Sequence, residues 1–223
     1  MIHRVWRYRL VAERTSMTYL LSKDLKNTTA IDLGANKGAY TYWLSKQVGK
    51  NGKVLAVEPQ PELGVHLQAF KQSFGLRNVS LIQKAASDHE RVVLLKRQFP
   101  GHGGATIVGN QSVLTIPVST FRLDDMKYEQ PVSFIKCDVE GHELSALRGA
   151  SELIGAYHPT LLVEVHHEAA LSGELFDFLE SKGYSGLYLK SGQRINCRDF
   201  NKYPYPRKDN HRNYIFEPLT SSH

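Results

Sequence analysis

Short apolar runs rich in β-branched residues recur along the chain: AIDLG at 30–34, KVLAVE at 53–58, NVSLIQ at 78–83, VSFIKCD at 132–138 and TLLVEVH at 160–166. Amphipathic stretches follow most of them, as in YTYWLSKQV, ELGVHLQAFKQSF and GELFDFLESKG. Runs of period two alternating with stretches of helical period predict βαβ crossovers and a mainly parallel sheet with helices on both faces. A sheet of that kind binds its ligands at the carboxyl ends of the strands. YSGLYLK at 184–190 and NYIFEP at 213–218 predict two more strands. RVVLLKRQF at 91–99 and SVLTIPVSTF at 112–121 are also strand-like and flank the glycine-rich PGHGGATIVGNQ, so 91–121 is expected to form an inserted hairpin or hinge near the cleft.

Alternation inside the runs sets faces. Phe134, Lys136 and Asp138 share one side of their strand, and Thr160, Leu162, Glu164 and His166 share one side of theirs. A lysine in the middle of a central strand needs a counter-charge. If the two runs are neighbours, Asp138 or Glu164 can supply it, which predicts a buried network around Lys136 beneath the cleft floor.

A chain of 223 residues, 41% hydrophobic and 22% charged, can bury one large α/β core. One domain is expected over 1–223, with a helical, basic extension at 1–28. The amino end interrupts its apolar residues with arginines, and no later run approaches membrane-spanning length, so the expectation is a cytoplasmic protein without a membrane span. Cys137 and Cys197 form no disulfide or thiolate-metal pattern. The net charge of +6 concentrates at 190–212, where Lys190, Arg194, Arg198, Lys202, Arg207, Lys208 and Arg212 face only Asp199 and Asp209. Such a segment can meet phosphates or an anionic glycan, although a solvated basic run is the commoner case.

AIDLGANKGAYTYWL places a strand, Asp32, Gly34, Asn36, Gly38 and a helix in direct succession, a turn in which a ligand can approach bare backbone beside a helix amino end. The spacing is G-x-x-x-G rather than G-x-G-x-x-G, which disfavours NAD. Glu58 stands at the tip of the next strand, twenty positions after Gly38, where a carboxylate can accept both hydroxyls of a ribose.

With these come AASD (85–88), GGAT (103–106), FRLDDM (121–126), FIKCDVEGHELSALRGA (134–150) and LLVEVH (161–166). Together the segments resemble the FkbM family of S-adenosylmethionine-dependent methyltransferases over residues 30–166. The resemblance implies a Rossmann-like fold with a seven-stranded, mainly parallel sheet whose last strand is antiparallel, with 190–212 as the connection before that strand. It implies that Gly34, Ala35, Asn36 and Gly38 surround the methionine part of the cofactor, that Asp32 organises the loop, that Glu58 holds the ribose, and that Ala85, Ala86 and Ser87 flank the adenine.

Methyl transfer from a sulfonium is a direct displacement, so the protein has mainly to align a nucleophile and receive one proton. Asp138, Glu140 and His166, at the ends of neighbouring strands, form the expected substrate-facing set. His102, on the glycine-rich loop, is either a cleft residue or a solvated one. Glu143 falls in the first turn of a helix, where an acid complements the dipole. Asp138, Glu140, Glu164 and His166 are donors that a divalent metal accepts, but their spacing does not force convergence and a metal is not favoured. The leading reading is transfer to a hydroxyl of a small molecule, a sugar or secondary metabolite. A nucleic-acid or phosphoglycan methyltransferase using 190–212, with nucleic acid the disfavoured partner, and a non-catalytic nucleotide-binding module are the rivals.

Overall fold

The computed structural model describes residues 2–203 and 210–219. Five parallel strands, ending at the edge strand β3, form one side of the main sheet: β1 (Thr29–Leu33), β2 (Lys53–Val57), β3 (Val79–Ile82), β8 (Val132–Cys137) and β9 (Thr160–His166). Between β3 and β8 the chain makes β4 (Ala85–Ala86), β5 (Val92–Lys96), β6 (Thr106–Val108) and β7 (Thr115–Phe121). These build a second sheet in the order β4-β7-β5-β6. After β9 come β10 (Tyr184–Lys190), β11 (Gln193–Asn196) and β12 (His211–Pro218). The main sheet has the order β11-β10-β12-β9-β8-β1-β2-β3, with β12 antiparallel to both β9 and β10.

The Rossmann-like class holds, but the sheet has eight strands where seven were expected. The extra strand, β11, lies within the basic 190–212 connection and closes a hairpin with β10 through Ser191 and Gly192. Both of those residues have positive φ (50° and 82°), the requirement of a two-residue turn that matches strand twist.

The sheet is covered on both faces. On one, α2 (Arg14–Leu21), α3 (Ala39–Val48) and α4 (Pro61–Ser73) pack Met17, Leu20, Trp43, Leu44, Leu67 and Phe70 against Ala30, Val54, Phe134 and Leu162. On the other, α5 (Glu143–Arg148), α6 (Ser151–Tyr157), α7 (His167–Ser172) and α8 (Glu174–Ser181) pack Leu147, Ile154, Phe176 and Leu179 against Ile31, Ile135, Leu161 and Val163. Burial on both faces accounts for the nearly continuous apolar runs of β1, β8 and β9. The exceptions, Asp32, Lys136 and Glu164, are all buried near the carboxyl ends.

The amino-terminal segment is part of this core. Helix α1 (Ile2–Arg7) continues into a π-helical stretch, Tyr8–Ala12, before α2. Trp43 donates its indole N–H to the carbonyl of Val5 at 3.2 Å, and Arg9 stacks over the Trp43 ring at 4.5 Å.

Candidate active site

The β1–α3 turn is built on left-handed backbone, with φ of 78° at Gly34, 48° at Asn36 and 81° at Gly38. A Cβ on Gly34 would stand 1.8 Å from the carbonyl oxygen of Asp138, so β1 and the end of β8 can close on one another only through glycine. A Cβ on Gly38 would meet Leu67 and Phe70 at 3.1 Å, so this glycine serves the packing of α3 on α4.

Beside the turn lies a cleft lined by both apolar and polar side chains. Its lining includes Gly34, Asn36, Glu58, Ala85, Ala86, Asp138 and Glu140 from the expected set. Glu58 is buried, and its carboxylate accepts the backbone N–H of Asn36 at 2.9 Å and of Gln60 at 3.0 Å. Burial pushes its pKa up to about 7 against those two hydrogen bonds. Val57, Ala85, Ala86, Leu95 and Ile107 make an apolar slot, to which the second sheet contributes all but Val57. The loop 99–105 is tied over the slot, since Gln60 donates to the carbonyl of His102 at 2.8 Å and accepts from Gly101 N–H at 3.2 Å. Gly103 lies against Asn36, whose amide a Cβ there would meet at 2.9 Å and have to displace.

Ala35 lines an adjoining recess with Asp32, Gly34, Asn36, Tyr8, Tyr40, Lys136 and Asp138. Asp32 accepts the hydroxyl of Thr41 at 2.5 Å, and burial raises its pKa to about 6. Ser87 sits behind the slot, its Oγ 2.9 Å from Nε2 of His142, which does line the cleft.

Lys136 is fully buried. Its Nζ lies 3.6 Å from Asp138 Oδ2 and donates to Asn213 Oδ1 at 3.3 Å. Despite burial, which works the other way, the nearby carboxylates of Asp138, Glu164 and Glu13 hold its pKa above the ordinary lysine value. Asp138 is pushed up to about 7 by burial and by its acidic neighbours, against the pull of Lys136. Glu164 accepts from His211 Nδ1 at 2.9 Å. Its carboxyl sits below the usual range, because this bond and the Lys136 charge outweigh burial, the largest single influence.

The structure brings Glu140 and His166 together, with Nε2 of His166 3.5 Å from the Glu140 carboxylate. That hydrogen bond raises the His166 pKa. Glu140 itself has φ of 53°, an uncommon conformation for a non-glycine residue and one that recurs at functional turns. Glu143 does more than complement a dipole: buried, it accepts the backbone N–H of Val139 at 3.1 Å and of Gly141 at 3.0 Å, fixing the turn that carries Glu140.

Several residues of the site carry no sequence motif. Tyr8, Glu13, Gln60 and Asn213 join it through the fold, beside Tyr40 of the glycine motif. Glu13 accepts from Tyr40 Oη at 3.2 Å and from Asn213 Nδ2 at 2.8 Å. One signal was available: Glu13 is the sole acid before Asp24 in an otherwise basic stretch.

The family model for the methyltransferase FkbM domain matches residues 32–185. The chain belongs to the FkbM methyltransferase family. Among solved structures, the FkbM methyltransferase from Methylobacillus flagellatus KT superposes with a TM-score of 0.57 at 18% identity, over 90% of this chain and 46% of that one. The chain therefore spans about half the length of that relative. A SAM-dependent methyltransferase from Aquifex aeolicus gives 0.51 at 17% identity, over 95% and 91% of the two chains. SMU.1697c from Streptococcus mutans, solved in complex with S-adenosylhomocysteine (SAH), gives 0.55 at 13%, over 93% and 97%. At these identities the likeness is one of fold. No curated protein matches the chain.

The FkbM site fits S-adenosylmethionine. Asn36 Oδ1 is buried without a hydrogen-bond partner at the cleft, the Glu58 carboxylate faces it, and the apolar slot suits a purine. Among the described residues, no group of three or more His, Cys, Asp or Glu side chains is placed to hold a metal ion, and no helix is long and apolar enough to cross a membrane. The basic connection is largely engaged internally. Arg194 pairs with Glu217, and Arg198 with Asp177 and Glu180; Lys202 pairs with Asp199, and Lys190 lies 3.9 Å from the centre of the Tyr203 ring. Arg212 donates to the carbonyls of Phe200 and Tyr203. Arg207, Lys208 and Asp209 lie outside the described residues.

Proposed function

We propose that this FkbM methyltransferase transfers a methyl group to a hydroxyl of a small molecule, a sugar or secondary metabolite. The observation that carries the reading is that one cleft is lined by Glu58 and also by Asp138 and Glu140, with His166 3.5 Å from the Glu140 carboxylate. Bound S-adenosylmethionine supplies an electrophilic methyl group on a sulfonium. Glu58 holds the ribose hydroxyls, Asn36 and the bare backbone of Gly34 and Ala35 hold the methionine end beside Asp32, and Ala85 and Ala86 flank the adenine, with Ser87 supporting them from behind. Gly38 positions α3.

Asp138, Glu140 and Asp32 form a fixed negative field around the carboxyl ends of β1 and β8, which favours a cationic donor in the cleft. Asp138, with its pKa near 7, is tuned to receive a hydroxyl proton at neutral pH. His166, held by Glu140, orients the acceptor or shares that proton. The internal pairing of the 190–212 cations weighs against a polyanionic acceptor, nucleic acid above all. Two buried free thiols, Cys137 and Cys197, suit a reducing, cytoplasmic setting.

Replacing Glu58 by Ala tests the cofactor half. Calorimetric titration with S-adenosylmethionine should show affinity at least about tenfold weaker, the loss of a charge-assisted hydrogen-bond pair. Wild-type affinity in this variant would remove Glu58 from the cofactor site.

A further inference from the structure

Past His166 the polar surface does not stop at the cleft. The His166 ring meets His211 edge to face at 5.8 Å between centroids, as their pairing across β9 and β12 requires. Glu140, His166 and His211 have side chains 28, 35 and 41% exposed, so a run of partly exposed polar groups leads from the cleft to His211. His211 also lines a second cavity, between α2 and β12, together with Glu13, Thr15, Ser16, Arg212 and Asn213, with Ala12, Leu189 and Ile215 as its apolar part.

The chemistry of this cavity is specific. Carboxylate, hydroxyl, amide and imidazole groups alternate with small apolar patches, a set that hydrogen-bonds to hydroxyls and packs on C–H faces. Its fixed charges are Glu13 and, behind His211, Glu164. The guanidinium of Arg212 is directed to the other face of β12, over Tyr188 and onto the Phe200 and Tyr203 carbonyls. Among the described residues, an anionic ligand would therefore meet Glu13 while the one arginine of the lining, Arg212, has its guanidinium already engaged elsewhere.

We infer that this cavity is a distal acceptor subsite that takes a neutral polyhydroxylated unit, a saccharide ring, while the reacting hydroxyl of the same acceptor lies across His166 at Asp138. The inference rests on the methyltransferase reading of the cleft and adds to it an acceptor longer than one ring. Asn213 lines this cavity and ties it to the polar floor near Asp138, bonded to Glu13 and to Lys136.

SAH affinity of the wild-type protein is measured first by calorimetry; absence of binding there overturns the reading of the cleft itself. The SAH-loaded protein is then examined by saturation-transfer difference NMR with methyl β-maltoside and trehalose as neutral probes, and with glucuronate and glucose 6-phosphate as acidic ones. Binding of a neutral disaccharide is expected, with the acidic probes weaker. Thr15→Trp, which fills the cavity from its exposed rim, should weaken the neutral probe about tenfold and leave SAH affinity within about twofold. Ser16→Ala, a smaller change, should weaken it less. With SAH binding intact, no binding of either neutral probe, equal or tighter binding of the acidic sugars, or unchanged sugar affinity in Thr15→Trp would each overturn the subsite.

Discussion

Replacing Lys136 by Met probes the charge balance on which the site stands. The ammonium lies 3.6 Å from Asp138 Oδ2, which at an effective dielectric of ~20 corresponds to an attraction of about 4–5 kcal/mol. Glu164 and Glu13 add to it at longer range. Methionine keeps much of the volume and removes the charge, leaving three acids without their common partner; breaking a buried pair in this way typically costs about 3–5 kcal/mol. For a chain of this size about 1 kcal/mol moves Tm by roughly 2–4 °C, so a drop of about 10 °C is expected at pH 8. The loss should depend on pH with a definite sign. Asp138 already has a folded pKa raised from 3.8 to about 7, and removal of the lysine raises it further. A raised carboxyl contributes its stability below the unfolded pKa and loses it as pH rises through the folded value. The deficit of the variant is therefore smallest near pH 4 and opens fully above pH 7. Differential scanning calorimetry at pH 5 and pH 8 reads both effects, and adding Asp138→Asn to Lys136→Met should restore part of the loss at pH 8. A Tm change under about 2 °C at pH 8, or the same change at both pH values, refutes the reasoning.

The remaining predictions concern the cleft. Glu58 accepts hydrogen bonds best when ionised, and its pKa is about 7, so affinity for SAH should fall as pH drops from 8 to 6 in the wild-type protein and fall much less in Glu58→Gln, by calorimetry at each pH. Gly34→Ala, with φ of 78° and a Cβ 1.8 Å from the Asp138 carbonyl, should lose at least about 3 kcal/mol or fail to accumulate folded. Gly109→Ala, which meets nothing within 4 Å, should stay within about 0.5 kcal/mol of wild type, as chemical denaturation can show.

The central strands were legible because each is buried on both faces and so reads as an apolar run; β1, β8 and β9 fall within a residue or two of their expected bounds. Strand β11 was not, because QRIN at a sheet edge has one buried residue, Ile195, and its only signal is the Ser191-Gly192 turn. The partner search around Lys136 succeeded in part: alternation pointed to Asp138 and Glu164, since these lie on its own and the adjacent strand. Glu13 and Asn213 could not be found that way. Their meeting depends on how a π-helical turn at one end of the chain docks beside a strand at the other, and no local periodicity encodes that. The Glu143 reading stopped at the helix dipole because burial of its first turn follows from the second layer of helices, not from the helix itself.

The contact between Glu13 and Asn213 joins positions 200 residues apart. Glu13 is synthesised long before the strand bearing Asn213, so the polar floor under Asp138 can close only after that strand has been made. Contacts of such long sequence separation form late. A cofactor cleft walled by β1 to β8 could assemble earlier, but the lysine beneath it would lack two of its partners. Assembly of this floor is thus timed by two segments far apart in sequence: losing Glu13, or disturbing β12, would leave a protein able to fold its central sheet yet unable to set the charge around Lys136.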